Sequence, residues 1–225
     1  MNFYSTIAWT LCLAMIPACG AGPSAQRKPL KPARQGGIYV VAHRGSHAIH
    51  PENTLAAYQQ AIDEGADFVE IDVRTTLDRR FVSFHDASLA IPPDGKRVRI
   101  SDLTLHQLQA VGLGGHTEGE KTFNRIPELS EICKLCKGRI GLYLDLKQAP
   151  VDTLVRLIQA WDMIGDVWWY ADADELKQVL ELCPECLIMP DPGPEKNLQP
   201  LLQRFHPLLV RSEEHTSELQ SHSFI

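Results

Sequence analysis

His43, Arg44, His85 and a pair of carboxylates one residue apart, Glu70 and Asp72, fall within a single stretch, residues 38–86. It opens on His43-Arg44-Gly45, carries Pro51-Glu52-Asn53-Thr54 and Glu70-Ile71-Asp72, and closes on His85-Asp86. These residue types are the parts needed to hydrolyse a phosphate ester with a metal ion. A phosphodiester repels nucleophiles because its oxygens are already negative, so a site for it needs a cation and fixed positive donors aimed at the phosphoryl oxygens. Carboxylate ligands select a hard ion, Mg²⁺ or Ca²⁺, over a thiol-seeking one. Histidine, with a solution pKa of about 6.5, gives or takes a proton near neutral pH.

The elements that must position these groups read as alternating strands and helices. Ile38-Tyr39-Val40-Val41-Ala42 is β-rich without alternation, which suits a strand buried on both faces, with His43 and Arg44 at its carboxyl end. Leu55, Tyr58 and Ile62 follow at helical spacing, with Thr54 as the cap and Gly65 as the stop. In the next strand, residues 67–73, Glu70 and Asp72 share one face because side chains alternate. The link from there to a third strand, residues 81–84, is too short for a crossover helix. Residues 87–127 read as a loop-rich insertion over the site's mouth, helical only over 101–111 with Ser101 as cap.

A helix over 128–137 leads to a strand over 140–147, in which Asp145 and Lys147 again share a face. An acid and a base projecting inward at a strand's end are costly unless they meet charge, and a metal ion and a phosphate would satisfy both. Helix 151–163, strand 167–170, helix 173–182, strand 187–189, helix 197–205 and a short run at 208–210 continue the order. Repeated β-then-α units specify an α/β fold with a parallel sheet or barrel. Charged groups at the carboxyl ends of several strands favour a (β/α)8 TIM-type barrel, incomplete because only seven strand candidates are present.

The motifs resemble the glycerophosphodiester phosphodiesterase family over about residues 38–210. The resemblance rests on His43-Arg44-Gly45, Pro51-Glu52-Asn53-Thr54, Glu70-x-Asp72, His85-Asp86 and Asp145-x-Lys147, five motifs in order. It implies that Glu70, Asp72 and Asp145 bind one divalent cation, that His43 and His85 act as general acid and base, and that Arg44 and Lys147 hold the phosphate. Glycerophosphodiesters would then yield glycerol 3-phosphate and an alcohol. Two positions depart from the family: Asp145 stands where Glu is frequent, and Asp78-Arg79 where the turn usually reads Asp-Gly. Sphingomyelinase D-type enzymes share the Asp-x-Lys pair, but the His43 and Pro51–Thr54 motifs favour the glycerophosphodiesterases. A non-catalytic phosphate-binding lipoprotein is the alternative in another class.

The 225 residues, 44% hydrophobic with a formal charge of −6, suit one sizeable core and argue against a nucleic-acid partner. Residues 7–18 have the length of a signal-peptide core, too short to span a bilayer. Ile16-Pro17-Ala18-Cys19 resembles a bacterial lipobox, so residues 1–20 read as an export signal of lipoprotein type, with lipidated Cys19 as membrane anchor. An ordinary cleaved signal is the alternative, since no Lys or Arg precedes the apolar run. Residues 21–37 read as a disordered linker.

Cys133 and Cys136 continue the apolar face of Leu129 and Ile132 and are expected in the core. For Cys183 and Cys186 the options are a disulfide, in an oxidising compartment, or zinc. His47, His50, His106 and His116 carry no assigned role. Residues 211–225 have no periodicity and resemble the translation of a sequencing adapter, so they read as a non-native tail.

Overall fold

The computed structural model describes residues 29–34, 36–92, 94–111, 125–193 and 195–210. The signal segment with Cys19, most of the linker, His116 and the tail lie outside the described residues. The element order is β1 (Val41–Ala42), α1 (Leu55–Asp63), β2 (Phe68–Thr75), β3 (Phe81–Ser83), β4 (Ser88–Ile91), β5 (Lys96–Arg99), α2 (Leu105–Ala110), α3 (Leu129–Cys136), β6 (Gly141–Gln148), α4 (Val151–Ala160), β7 (Val167–Tyr170), α5 (Ala173–Leu182), β8 (Leu187–Ile188) and α6 (Leu198–Phe205).

Strands β1, β2, β6, β7 and β8 are parallel neighbours in chain order, and β3 lies antiparallel on β2. A doubly wound sheet reverses its strand order at a switch point, whereas a barrel does not. The fold is therefore α/β of the (β/α)8 TIM-barrel type, and among the described residues the sheet stays open.

Alternation divides the side chains into two layers. Val69, Ile71 and Val73 of β2 and Leu142, Leu144 and Leu146 of β6 point outward into the main core, against Tyr58 of α1, Ile132 of α3 and Leu154 and Ile158 of α4. The opposite face buries Val41, Phe68, Tyr143, Trp168, Leu187 and Met189 as an inner core. Phe68 and Trp168 stack there with centroids 3.8 Å apart. Gly141 pairs with Phe68, and a Cβ on it would lie 2.3 Å from the Phe68 ring, so only glycine lets that ring cross β6.

Local signals account for the helix ends. The Thr54 hydroxyl accepts from the Ala57 N–H, Gly65 turns left-handed (φ 80°), and Asp172 and Glu175 form a capping box on α5.

Several expectations need correction. The first strand is regular only over Val41–Ala42, because the backbone N–H of Val40 turns aside to the Asp67 carboxylate at 2.8 Å. The 87–127 segment contains the β4–β5 hairpin, and the helix expected over 101–111 is α2, begun by a Thr104/Gln107 capping box, not by Ser101, which lies in a 3₁₀ turn. Helix α4 stops at Ala160, where Trp161 caps it and Asp162 turns left-handed (φ 54°). Residues 208–210 form no strand, although Leu209 packs in the inner core.

The linker is not wholly free either. Residues 29–34 lie against the amino-terminal end of the sheet, where Leu30 packs on the inner core and the Arg34 N–H donates to Asp67. Cys133 and Cys136 are buried free thiols in the core, and Cys183 is disulfide-bonded to Cys186, which removes the zinc reading.

Candidate active site

The chemistry-bearing residues gather at the carboxyl ends of β1, β2 and β6. His43, Arg44, Glu70, Asp72, His85, Tyr143, Asp145 and Lys147 line one pocket that opens to solvent. All seven residues singled out in the sequence are among them.

Arg44 and Gly45 turn the chain sharply after β1, both left-handed (φ 54° and 84°). The turn needs glycine at Gly45, since a Cβ there would meet the Ala57 backbone carbon at 2.8 Å. It aims the Arg44 N–H at Glu70, donating to Oε2 at 2.8 Å.

On β2, Glu70 and Asp72 face inward, and the β2–β6 register sets Asp72 directly opposite Asp145. Like charges in that relation repel. One carboxylate oxygen from each of Glu70, Asp72 and Asp145 lies within 4.8 Å of the others, and all three residues are buried. Burial, and then the charges of Asp72 and Asp145, push the Glu70 carboxyl well above the usual carboxylate range.

The cations present are shared. Arg44 meets Glu52 at 2.9 Å and Asp72 at 3.3 Å, and Lys147 meets Asp145 at 2.7 Å and Asp72 at 3.4 Å. The Asp145–Lys147 ion pair is thus formed, and Lys147 remains a quarter exposed at the pocket's rim. Three crowded carboxylates, one of them held against its own ionisation, fit a divalent cation, and an all-oxygen donor set fits a hard one.

The two histidines differ in setting. Burial, followed by the Arg44 charge, lowers the His43 pKa to about 4, so the ring is neutral at physiological pH. His85 is 40% exposed, and its Nδ1 lies 3.0 Å from Asp86 Oδ1, which leaves Nε2 to exchange a proton. The Arg74 guanidinium donates through Nε to the His85 carbonyl at 2.9 Å and so fixes the end of the short β3 link. His47 and His50 are half-buried and His106 exposed, all outside the pocket lining.

Sequence reasoning missed the residues behind Asp72. Asn53 Nδ2 donates to Asp72 Oδ2 at 3.0 Å, while Asn53 Oδ1 accepts from Tyr58 at 3.0 Å and Ser83 at 2.8 Å. Asn53 lay in a quoted motif, but Tyr58 read only as part of an apolar helix face and Ser83 had no signal at all.

Residues 43–178 match the family model of the glycerophosphoryl diester phosphodiesterase family. Glycerophosphodiester phosphodiesterase 1 of Homo sapiens is 33% identical over 135 residues, 59% of this chain and 38% of that protein. The glycerophosphodiester phosphodiesterase of Caldanaerobacter subterraneus is 35% identical over 96 residues, 43% of this chain and 39% of that one. The matched part thus spans less than half the length of these curated relatives.

Among solved structures, an Oleispira antarctica phosphodiesterase in complex with the product sn-glycerol-3-phosphate superposes with a TM-score of 0.64 at 26% identity, covering 74% of this chain and 71% of that one. A glycerophosphodiester phosphodiesterase from Agrobacterium tumefaciens gives a TM-score of 0.66 at 24% identity, covering 76% and 74%, and supports the fold alone.

Proposed function

Because the chain belongs to the glycerophosphoryl diester phosphodiesterase family, we propose that it hydrolyses glycerophosphodiesters to glycerol 3-phosphate and an alcohol, with one divalent cation, Mg²⁺ or Ca²⁺. The observation that carries this reading is the buried cluster of Glu70, Asp72 and Asp145, set between two histidines and two cationic side chains in one pocket. Glu70, Asp72 and Asp145 would hold the cation, which when bound supplies Lewis-acid stabilisation of phosphoryl charge.

His43, neutral by burial, is suited to take a proton from the substrate's own glycerol hydroxyl as it bonds to phosphorus, and water then opens the resulting cyclic phosphate to glycerol 3-phosphate. His85, oriented by Asp86, is suited to give one to the departing alcohol oxygen as its bond to phosphorus breaks. Lys147, at the rim, and Arg44 would hold the phosphate by exchanging part of their carboxylate contacts for phosphoryl oxygens.

A panel of glycerophosphodiesters assayed with Mg²⁺ and with Ca²⁺ tests this reading. Glycerol 3-phosphate should appear with cation, vanish with chelator, and vanish in Glu70→Gln. Turnover unchanged by both treatments would refute it.

We also propose that the protein is exported and anchored through lipidated Cys19. The Cys183–Cys186 disulfide supports an oxidising compartment. Membrane fractions should retain the wild type and lose a Cys19→Ser variant; equal retention would remove the anchor.

A further inference from the structure

Three side chains from three elements meet behind Asp72. Asn53 stands in the loop before α1, in a left-handed conformation (φ 57°), while Tyr58 belongs to α1 and Ser83 ends β3. All three are buried, Tyr58 and Ser83 completely. Tyr58 Oη and Ser83 Oγ lie 2.7 Å apart, and both reach Asn53 Oδ1, at 3.0 and 2.8 Å. An ionised carboxylate only accepts, so Asp72 takes the amide's NH₂, 3.0 Å away, and the amide oxygen is turned to the two hydroxyls, which can donate to it.

This occupies Asp72 Oδ2 and leaves Oδ1 on the side of Lys147, which approaches it at 3.4 Å. The arrangement also gives β3 a purpose. An antiparallel strand is foreign to the parallel order of the sheet, yet its last residue supplies one corner of the triangle.

We propose that Asn53, Tyr58 and Ser83 are positioning residues for the cation site, holding the Asp72 carboxylate turned so that Oδ1 is the oxygen presented to a divalent cation. The inference rests on the cation proposed above. The two hydroxyls hold two protons for three contacts, so either one alone can keep the amide oxygen engaged. Their losses should therefore combine more than additively.

Isothermal titration of the cation-free full chain with Ca²⁺ and with Mg²⁺ tests this directly. Tyr58→Phe or Ser83→Ala alone should weaken binding by about threefold. The double variant should weaken it by about 10- to 100-fold, the range found when partners of metal ligands are removed. Ile158→Val, buried in the main core away from the site, should lower the melting temperature and leave cation affinity unchanged.

If the double variant melts lower but binds both cations like the wild type, the triangle is only a joint between elements and the proposal is overturned. Should the double variant not fold, Asn53→Gly, which keeps the left-handed turn and removes the amide outright, takes its place, and an unaltered dissociation constant there has the same force. If the wild type binds neither cation, the proposed function fails and takes this inference with it.

Discussion

Replacing Glu70 with Gln should abolish turnover and, without cation, make the protein more stable. Glu70 is 3% exposed, and burial followed by the charges of Asp72 and Asp145 holds its carboxyl well above the usual range, against the opposing pull of the Arg44 N–H. In the unfolded chain that carboxyl titrates near 4.5. Between that value and the raised folded one, the native state binds more protons than the unfolded state. Its stability is then full below the window and is lost as pH rises through it.

The amide introduced by Glu70→Gln is isosteric with the carboxyl, accepts the Arg44 N–H through its oxygen and donates its NH₂ to the neighbouring carboxylates. At about pH 7–8 the cation-free variant should gain about 1–3 kcal/mol, the usual penalty for a poorly satisfied buried polar group. That is roughly 2–12 °C for a chain of this size. Towards about pH 4 the difference should close, because the wild-type carboxyl takes up its proton.

Cation reverses the order. At a concentration of about 100 times the dissociation constant it should stabilise the wild type by about 2.7 kcal/mol, and the variant, one ligand short, by less. Thermal melts across pH, in chelator and in Ca²⁺ or Mg²⁺, read both effects. A cation-free variant that melts below the wild type at about pH 7–8, or a gap that persists to about pH 4, would refute the charge-crowding argument.

Four further outcomes follow from the site and its supports. His43→Ala and His85→Ala should each lower turnover by about 10²- to 10⁴-fold while calorimetry shows cation affinity little changed. In the cation-free protein the His43 imidazole should titrate by NMR at about 4, so its contribution to stability, full above 6.5, is lost as pH falls towards that value; a midpoint above about 6 contradicts the burial argument. Gly45→Ala places a Cβ against Ala57 in a left-handed turn and should cost about 2–4 kcal/mol in denaturant melts. Reducing the Cys183–Cys186 bond, which closes a very short loop, should cost about 2 kcal/mol, while native-state alkylation leaves Cys133 and Cys136 untouched, since burial pushes both thiols to about 12.

The legible parts of the sequence were those governed by local periodicity. Alternation along one strand placed Glu70 with Asp72, and alternation along another placed Asp145 with Lys147, without knowledge of any neighbour. The register that sets Asp72 opposite Asp145 joins segments far apart in the chain, and no local pattern carries it.

The β4–β5 hairpin escaped because its strands are short and open to solvent, with four of the eight residues exposed. At α2 the reading that took Ser101 as cap overlooked Thr104, whose capping box is closed by Gln107 three residues on. The triangle behind Asp72 draws single residues from a loop, a helix and a strand, so nothing in sequence spacing could gather it.

The inner face of the sheet explains why one end carries the chemistry. Along β2 the inward residues run Phe68, Glu70, Asp72, and along β6 they run Gly141, Tyr143, Asp145, Lys147, so polarity rises towards the carboxyl ends of both strands. At the amino end Phe68, Trp168, Val41 and Leu187 pack as an apolar inner core, with Leu30 and Tyr39 laid against it. An apolar layer thus lies beneath the carboxylates while the pocket stays open above them.

A buried charge cluster on a fully solvated sheet would be screened and would bind a cation weakly. The same cluster in an entirely apolar barrel could not ionise. The gradient places Glu70, Asp72 and Asp145 at the boundary, where their crowding would favour a cation and they still line the open pocket. Gly141 is what makes this compact: by yielding its side-chain volume to the Phe68 ring it lets the apolar layer close one residue pair below Glu70.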